Sequence, residues 1–299
     1  MEIPNEIKSL YRHWDFHTVE KKGDSAADKI PEELVWFIQE RINIWKKKTS
    51  GDPKPYTKDM VLGQYRFCNI FREFDRQTIE FHTILNPLRD NFSLWLLNIF
   101  YCRMVARTET IKHVGLLSFD QRENKRFYKK LISSPRPRFG IPYVFPISVI
   151  QKSNTPTREL FVAHYLPKVM PVIAREIKSW KKVSVYAGVS RVLPIFGFNL
   201  LFLWTEVLID VAYQFPQYID LFKRFPIGPG SLPTLQNLTQ AKDDPSLFVE
   251  MLGMARTTTD ITYKGHSLAL SAENWEGIGC EFRKYNNLKQ GRGRKRLYR

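Results

Sequence analysis

Residues 65–82 read Tyr65-Arg-Phe-Cys-Asn-Ile-Phe-Arg-Glu-Phe-Asp-Arg-Gln-Thr-Ile-Glu-Phe-His82, with chemistry-bearing side chains recurring at helical spacing. At about 100° per residue, Phe67, Ile70, Phe71, Phe74, Thr78 and Phe81 share one arc. Arg66, Asn69, Glu73, Arg76, Gln77 and Glu80 share another. The spacing predicts one helix over 65–82. A solvated helix face usually carries Lys and Glu, whereas this one carries two Arg, two Glu and an Asn. Guanidinium groups can fork onto a phosphate while a neighbouring carboxylate serves as base. A plain salt-bridged surface helix accounts for the same residues without chemistry.

A second polar stripe lies inside the apolar run 192–215. Asn199, Glu206 and Asp210 are spaced by seven and four, with Tyr213 three further on, so they project from one face. Carboxylates in a bilayer are costly, so the run reads as a buried helix and not a membrane span. Buried carboxylates need cations, and Arg72 and Arg76 are the expected partners. Buried structural ion pairs are the simpler account of the same stripe. At 226–238 a Pro-Ile-Gly-Pro-Gly turn runs into a helix. Its Gly228 and Gly230 suggest backbone N–H groups turned to a phosphate, as in the second half of a helix-hairpin-helix. Arg136 and Arg138, in the stiff basic loop 133–140, are candidate backbone-phosphate contacts. His13 and His17 sit four apart, but with no third ligand nearby no metal site is expected.

The elements that must carry these groups are mainly helical. Pro31, two Glu and three closing Lys mark a helix over 31–48. Residues 86–107 read as a packed apolar helix, and 159–180 as an amphipathic one kinked or split at Pro167 and Pro171. Residues 143–150 are β-branched and aromatic enough for one short strand. The reading is a mainly α fold: one large helical domain over 31–285, an N-terminal arm or cap over 1–30 and a basic Arg/Gly tail over 286–299. At most one short β element is expected.

A formal charge of +16 over 299 residues, with a pI near 9.7, points to a polyanionic partner, nucleic acid before membrane. Cys68, Cys102 and Cys280 show no paired spacing, which speaks against a disulfide scaffold. The opening Met1-Glu-Ile-Pro has no apolar segment, so a cytoplasmic protein without a leader is expected, in a host cell if the gene is viral. There is no Walker A sequence, Gly-x-Ser-x-Gly elbow or His-x-Glu deaminase signature, so kinase, serine-hydrolase and zinc-deaminase readings lack their usual support. No cofactor is expected.

The order Phe37-Ile-Gln-Glu-Arg41, Gly51, Pro55-Tyr-Thr57, Asp59 and then 66–78 resembles the alpha-glutamyl/putrescinyl thymine pyrophosphorylase superfamily of viral DNA-hypermodification clusters. That superfamily includes amino acid:DNA transferases and the helical domain of 5-hydroxymethyluridine DNA kinases. Its members typically read Arg-Phe-Thr-Asn-Val-Phe-Arg-Glu-x-Asp-Arg-x-Thr where this chain has Cys68 for Thr and Ile70 for Val. The closing motif is similar through Glu276, Cys280, Glu281, Lys284 and Tyr285, with Gly277 for the usual His and Arg283 for the usual Asp. No role is carried to those two positions.

The resemblance implies transfer of an amino acid or polyamine amine to the 5-methylene of phosphorylated 5-hydroxymethyl-deoxyuridine in DNA, displacing phosphate or pyrophosphate. Partner DNA bearing 5-phosphomethyl-deoxyuridine, a free amine and a hydroxymethyluridine DNA kinase follow from it. Arg72 and Arg76 would then clamp the phosphate and Glu73 or Asp75 act as base. Glu206 and Asp210 would hold the arginines or the amine, with Glu281 a further acid. Asn69 would read the edge of an extruded base, and Arg66 and Lys284 would contact DNA phosphate. A glycosylase-like base-excision enzyme and a non-catalytic DNA-binding helper are the alternatives.

Overall fold

Pro31 leads into the helix Glu32–Thr49, with Glu32 and Glu33 in its first turn and Lys46, Lys47 and Lys48 in its last, as the charge order predicts. The computed structural model describes residues 1–20, 30–140, 146–239, 244–293 and Leu297. The polar residues after Glu20, the first part of the 143–150 strand and most of the charged tail beyond Gly293 lie outside the described residues. The chain forms two compact units where one helical domain was expected. One comprises Met1–Ser9, His13–Asp75 and Leu221–Arg299, the other Leu10–Arg12 and Arg76–Asp220.

In the first unit, the helix Ala272–Lys289 opens with a capping box in which Ser271 and Asn274 satisfy each other's backbone. It packs against the helices Glu32–Thr49, Leu232–Leu238 and Pro245–Met254. A three-stranded antiparallel sheet has the order Thr18–Val19, His266–Ala269, Thr258–Tyr263. Tyr263 pairs with His266 across a two-residue turn. Lys264 (φ 52) and Gly265 (φ 80) form it in the left-handed region, which matches the twist of a hairpin. Residues 1–20, read from sequence as an arm or cap, bury Ile3, Ile7 and Trp14. The Thr18–Val19 strand pairs with His266–Ala269.

In the second unit, the helix Phe92–Val105 is capped by Asn91 and is buried throughout from Trp95 to Val105. It packs on the helices Leu166–Lys178 and Leu201–Gln214, and the helix Val185–Phe196 packs on the same two. The predicted apolar element 192–215 is therefore two helices. Gly197, at φ 81, ends the first in a left-handed cap, and the pair is bent by 119°. No single helix among the described residues is long and apolar enough to cross a membrane. The element at 159–180 is split, one of the two forms expected: Arg158–Leu160, a π turn Phe161–Tyr165, then Leu166–Lys178 with Pro171 inside.

Three expectations need correction. Within 143–150, the described part belongs to the helix Ile147–Lys152, which follows Pro146 as its cap, and is not a strand. The β content exceeds one element, since beside the hairpin sheet Val183–Ser184 and Ile219–Asp220 pair in parallel. The predicted helix 65–82 is the largest departure. Its described helix is Arg76–Leu85, preceded by a 3-10 turn Arg72–Phe74 and an irregular stretch over 66–71.

Candidate functional site

The shape of 66–75 follows from where its backbone groups find partners. Arg41, buried on the helix Glu32–Thr49, donates to the carbonyls of Phe67 (3.3 Å) and Cys68 (2.9 Å). Asn274 donates to the Ile70 carbonyl (3.3 Å) and Lys284 to that of Arg66. The Cys68 N–H donates to Glu281 at 3.1 Å and the Asn69 N–H to Asp75 at 2.9 Å. With these groups bound by side chains, a helical ladder has nothing to add. Phe67, Ile70, Phe71 and Phe74 are still buried, so the arc that suggested a helix is a true list of core residues.

A charged site results at the surface of the first unit. Asp75, half-buried, accepts from both the backbone N–H and the side-chain amide of Asn69 (2.9 and 3.0 Å). Burial pushes its carboxyl up to about 6, against the pull of the Asn69 N–H and of Arg72, with Glu281 adding to the rise. Arg72, also half-buried, lies 3.9 Å from the buried Glu273. Lys284 pairs with Glu281 at 3.3 Å and lies over the Phe67 ring at 4.5 Å. Arg66 and Cys68 are exposed beside them. A carboxylate of near-neutral affinity beside Arg72, in a segment that also carries Arg66 and is held by Lys284, can take a proton while the cations receive an anion.

The Gly-Pro-Gly turn packs on the same helix, but not as the expected phosphate seat. The Gly228 N–H donates to Glu276 (3.2 Å), as does the Ser231 hydroxyl (2.6 Å). No helix leads directly into this turn; the preceding residues form the Ile219–Asp220 strand and a loop. A Cβ on Gly230 would lie 2.6 Å from Cys280 Sγ, so this glycine permits close approach of turn and helix. Arg283 donates to the carbonyls of Pro229 (2.7 Å) and Gly230 (3.4 Å).

Other sequence candidates fall elsewhere. Glu73 is buried and bound to His13 at 2.8 Å. Asn69 spends its two amide hydrogens on Phe74 O and Asp75, away from any base edge. Arg76 is exposed and paired with Glu80 at 2.8 Å. Within the second unit, Asp210 has a cation other than the expected Arg76. Asp210 is gripped within the second unit by Arg103, whose Nε and Nη2 donate at 2.6 Å each, and Glu206 lies 4.0 Å from the same arginine. Gln214 donates to His82 Nδ1 (2.9 Å), so His82 donates through Nε2 to Asp210 (2.9 Å). Burial would raise the Asp210 carboxyl, but Arg103 and then His82 hold it down at about 2. Arg138 is used internally, donating to the Ser134 and Ile132 carbonyls and pairing with Glu159 at 3.0 Å; Arg136 is exposed.

Sequence reasoning did not single out Arg103, and it named Arg41 and Glu276 only as motif members without a role. Arg103 carried a readable signal, being a single cation in the apolar run 92–105, since buried charges require partners. Arg41 stood in the motif block but its work, binding the Phe67 and Cys68 carbonyls, left no mark in the pattern.

Comparison with known proteins gives a consistent result. The family described as "5-hmdU DNA kinase, helical domain" matches residues 28–293. A 5-hmdU DNA kinase of Bacillus phage SP10 is 32% identical over 128 residues, covering 37% of this chain and 20% of that protein. The chain thus matches about a fifth of that relative's length. No solved structure matches. With a match across both units and through both motifs that build the charged site, the chain belongs to the 5-hmdU DNA kinase helical-domain family.

Proposed function

We propose that the protein is a DNA-modifying transferase of thymidine hypermodification. It installs an amino acid or polyamine on the 5-methylene of phosphorylated 5-hydroxymethyl-deoxyuridine. The observation that carries this reading is Asp75, raised to about 6 and set beside Arg72, in the segment that Glu281 and Lys284 hold. Asp75 takes a proton from the incoming ammonium. The amine nitrogen then forms a bond to the methylene carbon as the carbon–oxygen bond to phosphate breaks. The phosphate leaves with that electron pair toward Arg72, with Arg66 and Lys284 nearby to offset its charge. Asn69 is a positioning residue, holding Asp75 from both its donors.

The test is mass analysis of nucleosides from phosphomethylated DNA incubated with the protein and candidate amines. A new aminated nucleoside is expected with wild-type protein and with Arg76→Lys, and a loss of about 10²-fold or more with Asp75→Asn or Arg72→Lys. A second reading, a DNA-binding helper, is favoured by the matched family's description as the helical domain of a DNA kinase. It predicts that no amine yields product and that Asp75→Asn binds DNA as wild type does.

A further inference from the structure

His13 immediately precedes the single helical turn Trp14–His17, so His13 and His17 are stacked neighbours one turn apart. Their rings meet edge-on with centroids 4.5 Å apart, and both are buried. The sequence offers no third ligand near them. The fold supplies one, because the 3-10 turn Arg72–Phe74 brings Glu73 Oε1 to 2.8 Å from His13 Nε2. One donor atom from each of the three residues lies within 4.8 Å of the others.

We propose that His13, His17 and Glu73 form a binding site for a first-row transition dication of the Zn²⁺ class. Two imidazole nitrogens and a carboxylate oxygen are a donor set that leaves the fourth position of a tetrahedral ion open. With bonds of about 2.0–2.2 Å such an ion holds its donors roughly 3.3 Å apart, so side-chain shifts of roughly 1.5 Å close the triad. A neutral imidazole has one ring proton, so as the ion takes His13 Nε2 that proton moves to Nδ1 and the Glu73 carboxylate turns from the ring to the ion. The surroundings are aromatic: Trp14 stacks on Phe74 at 6.1 Å and Phe222 meets the His17 ring at 4.9 Å. His17 lies within electrostatic reach of His13, Glu73 and Arg256. The opposing cation, Arg256, is engaged over Phe222 at 4.1 Å and donates to the Phe16 carbonyl at 3.1 Å. An ion on Glu73 pins the turn that carries Arg72 and leads into Asp75, so metal occupancy would order the charged site.

The test uses the full chain, stripped with chelator and titrated with Zn²⁺ by calorimetry, with Co²⁺ as a spectroscopic probe. One equivalent is expected to bind with a Kd of about 1 µM or tighter, to raise the melting temperature and, for Co²⁺, to show tetrahedral visible bands. His17→Gln, which leaves the His13–Glu73 pair intact, is expected to weaken binding about 100-fold. The exposed His266→Gln is expected to leave it unchanged. Binding below one-fifth of an equivalent at 100 µM Zn²⁺ and Co²⁺, or equal binding by wild type and His17→Gln, overturns the proposal. These readouts stand apart from transfer activity, so they decide the metal site whether or not the transferase reading holds.

Discussion

Replacing Asp75 by Asn is expected to make the protein more stable and inactive at once. The Asp75 carboxyl rises from 3.8 to about 6 in the fold, chiefly through burial. A raised carboxyl binds its proton more tightly folded than unfolded. Its contribution is therefore fully present below about pH 4, is lost as pH rises to about 6, and is absent above that. A shift of about two units corresponds to roughly 3 kcal/mol. Asn keeps the oxygen that accepts from Asn69 but forgoes the attraction of Arg72, so a gain of about 1–3 kcal/mol at pH 8 is the working figure. For a chain of this size that is roughly 2–8 °C in melting temperature. The assay is thermal or urea unfolding of both proteins from pH 4 to pH 8, beside the nucleoside assay. The two should coincide near pH 4 and diverge through pH 6, while the wild-type transfer rate rises over the same interval as Asp75 ionises. Parallel stability curves across that range, or a variant less stable at pH 8, would falsify the desolvation argument.

Arg103→Met strands the Asp210 carboxylate in the second unit's interior and should cost about 3–5 kcal/mol, read by urea unfolding. Gly230→Ala drives a methyl into Cys280 Sγ and should cost about 1–3 kcal/mol. Adding Cys280→Ala should restore much of it, as a double-mutant cycle would show. DNA binding, measured by anisotropy from 50 to 200 mM salt, should weaken steeply, as a +16 protein on a polyanion requires.

Elements whose ends are written in local side chains were legible: Glu32–Thr49 by its charge order and Phe92–Val105 by its apolar run. Residues 66–75 were not, because the groups that bend them come from Arg41, Asn274, Glu281 and Lys284. Periodicity found the buried phenylalanines and supplied the wrong backbone for them. The hairpin was readable and went unread: β-branched residues of Thr258–Tyr263 run straight into Lys264-Gly265. The carboxylates Glu206 and Asp210 were rightly expected to need a cation. Only the fold could say that Arg103 provides it, since Arg103 and Asp210 are 107 residues apart. The charged cluster draws its residues from both motif blocks, while the burial of Glu73 and the half-exposure of Asp75 within the first depended on packing.

The bond from Cys68 to Glu281 spans 213 residues. A nascent chain on the ribosome thus carries the 66–75 motif long before the helix Ala272–Lys289 exists to shape it, and the entire 76–220 unit must emerge in between. Such distant closure is slow, and an early-terminated product would possess the whole first motif without the helix that shapes it. Copying those ten residues into another scaffold would transplant letters without their geometry.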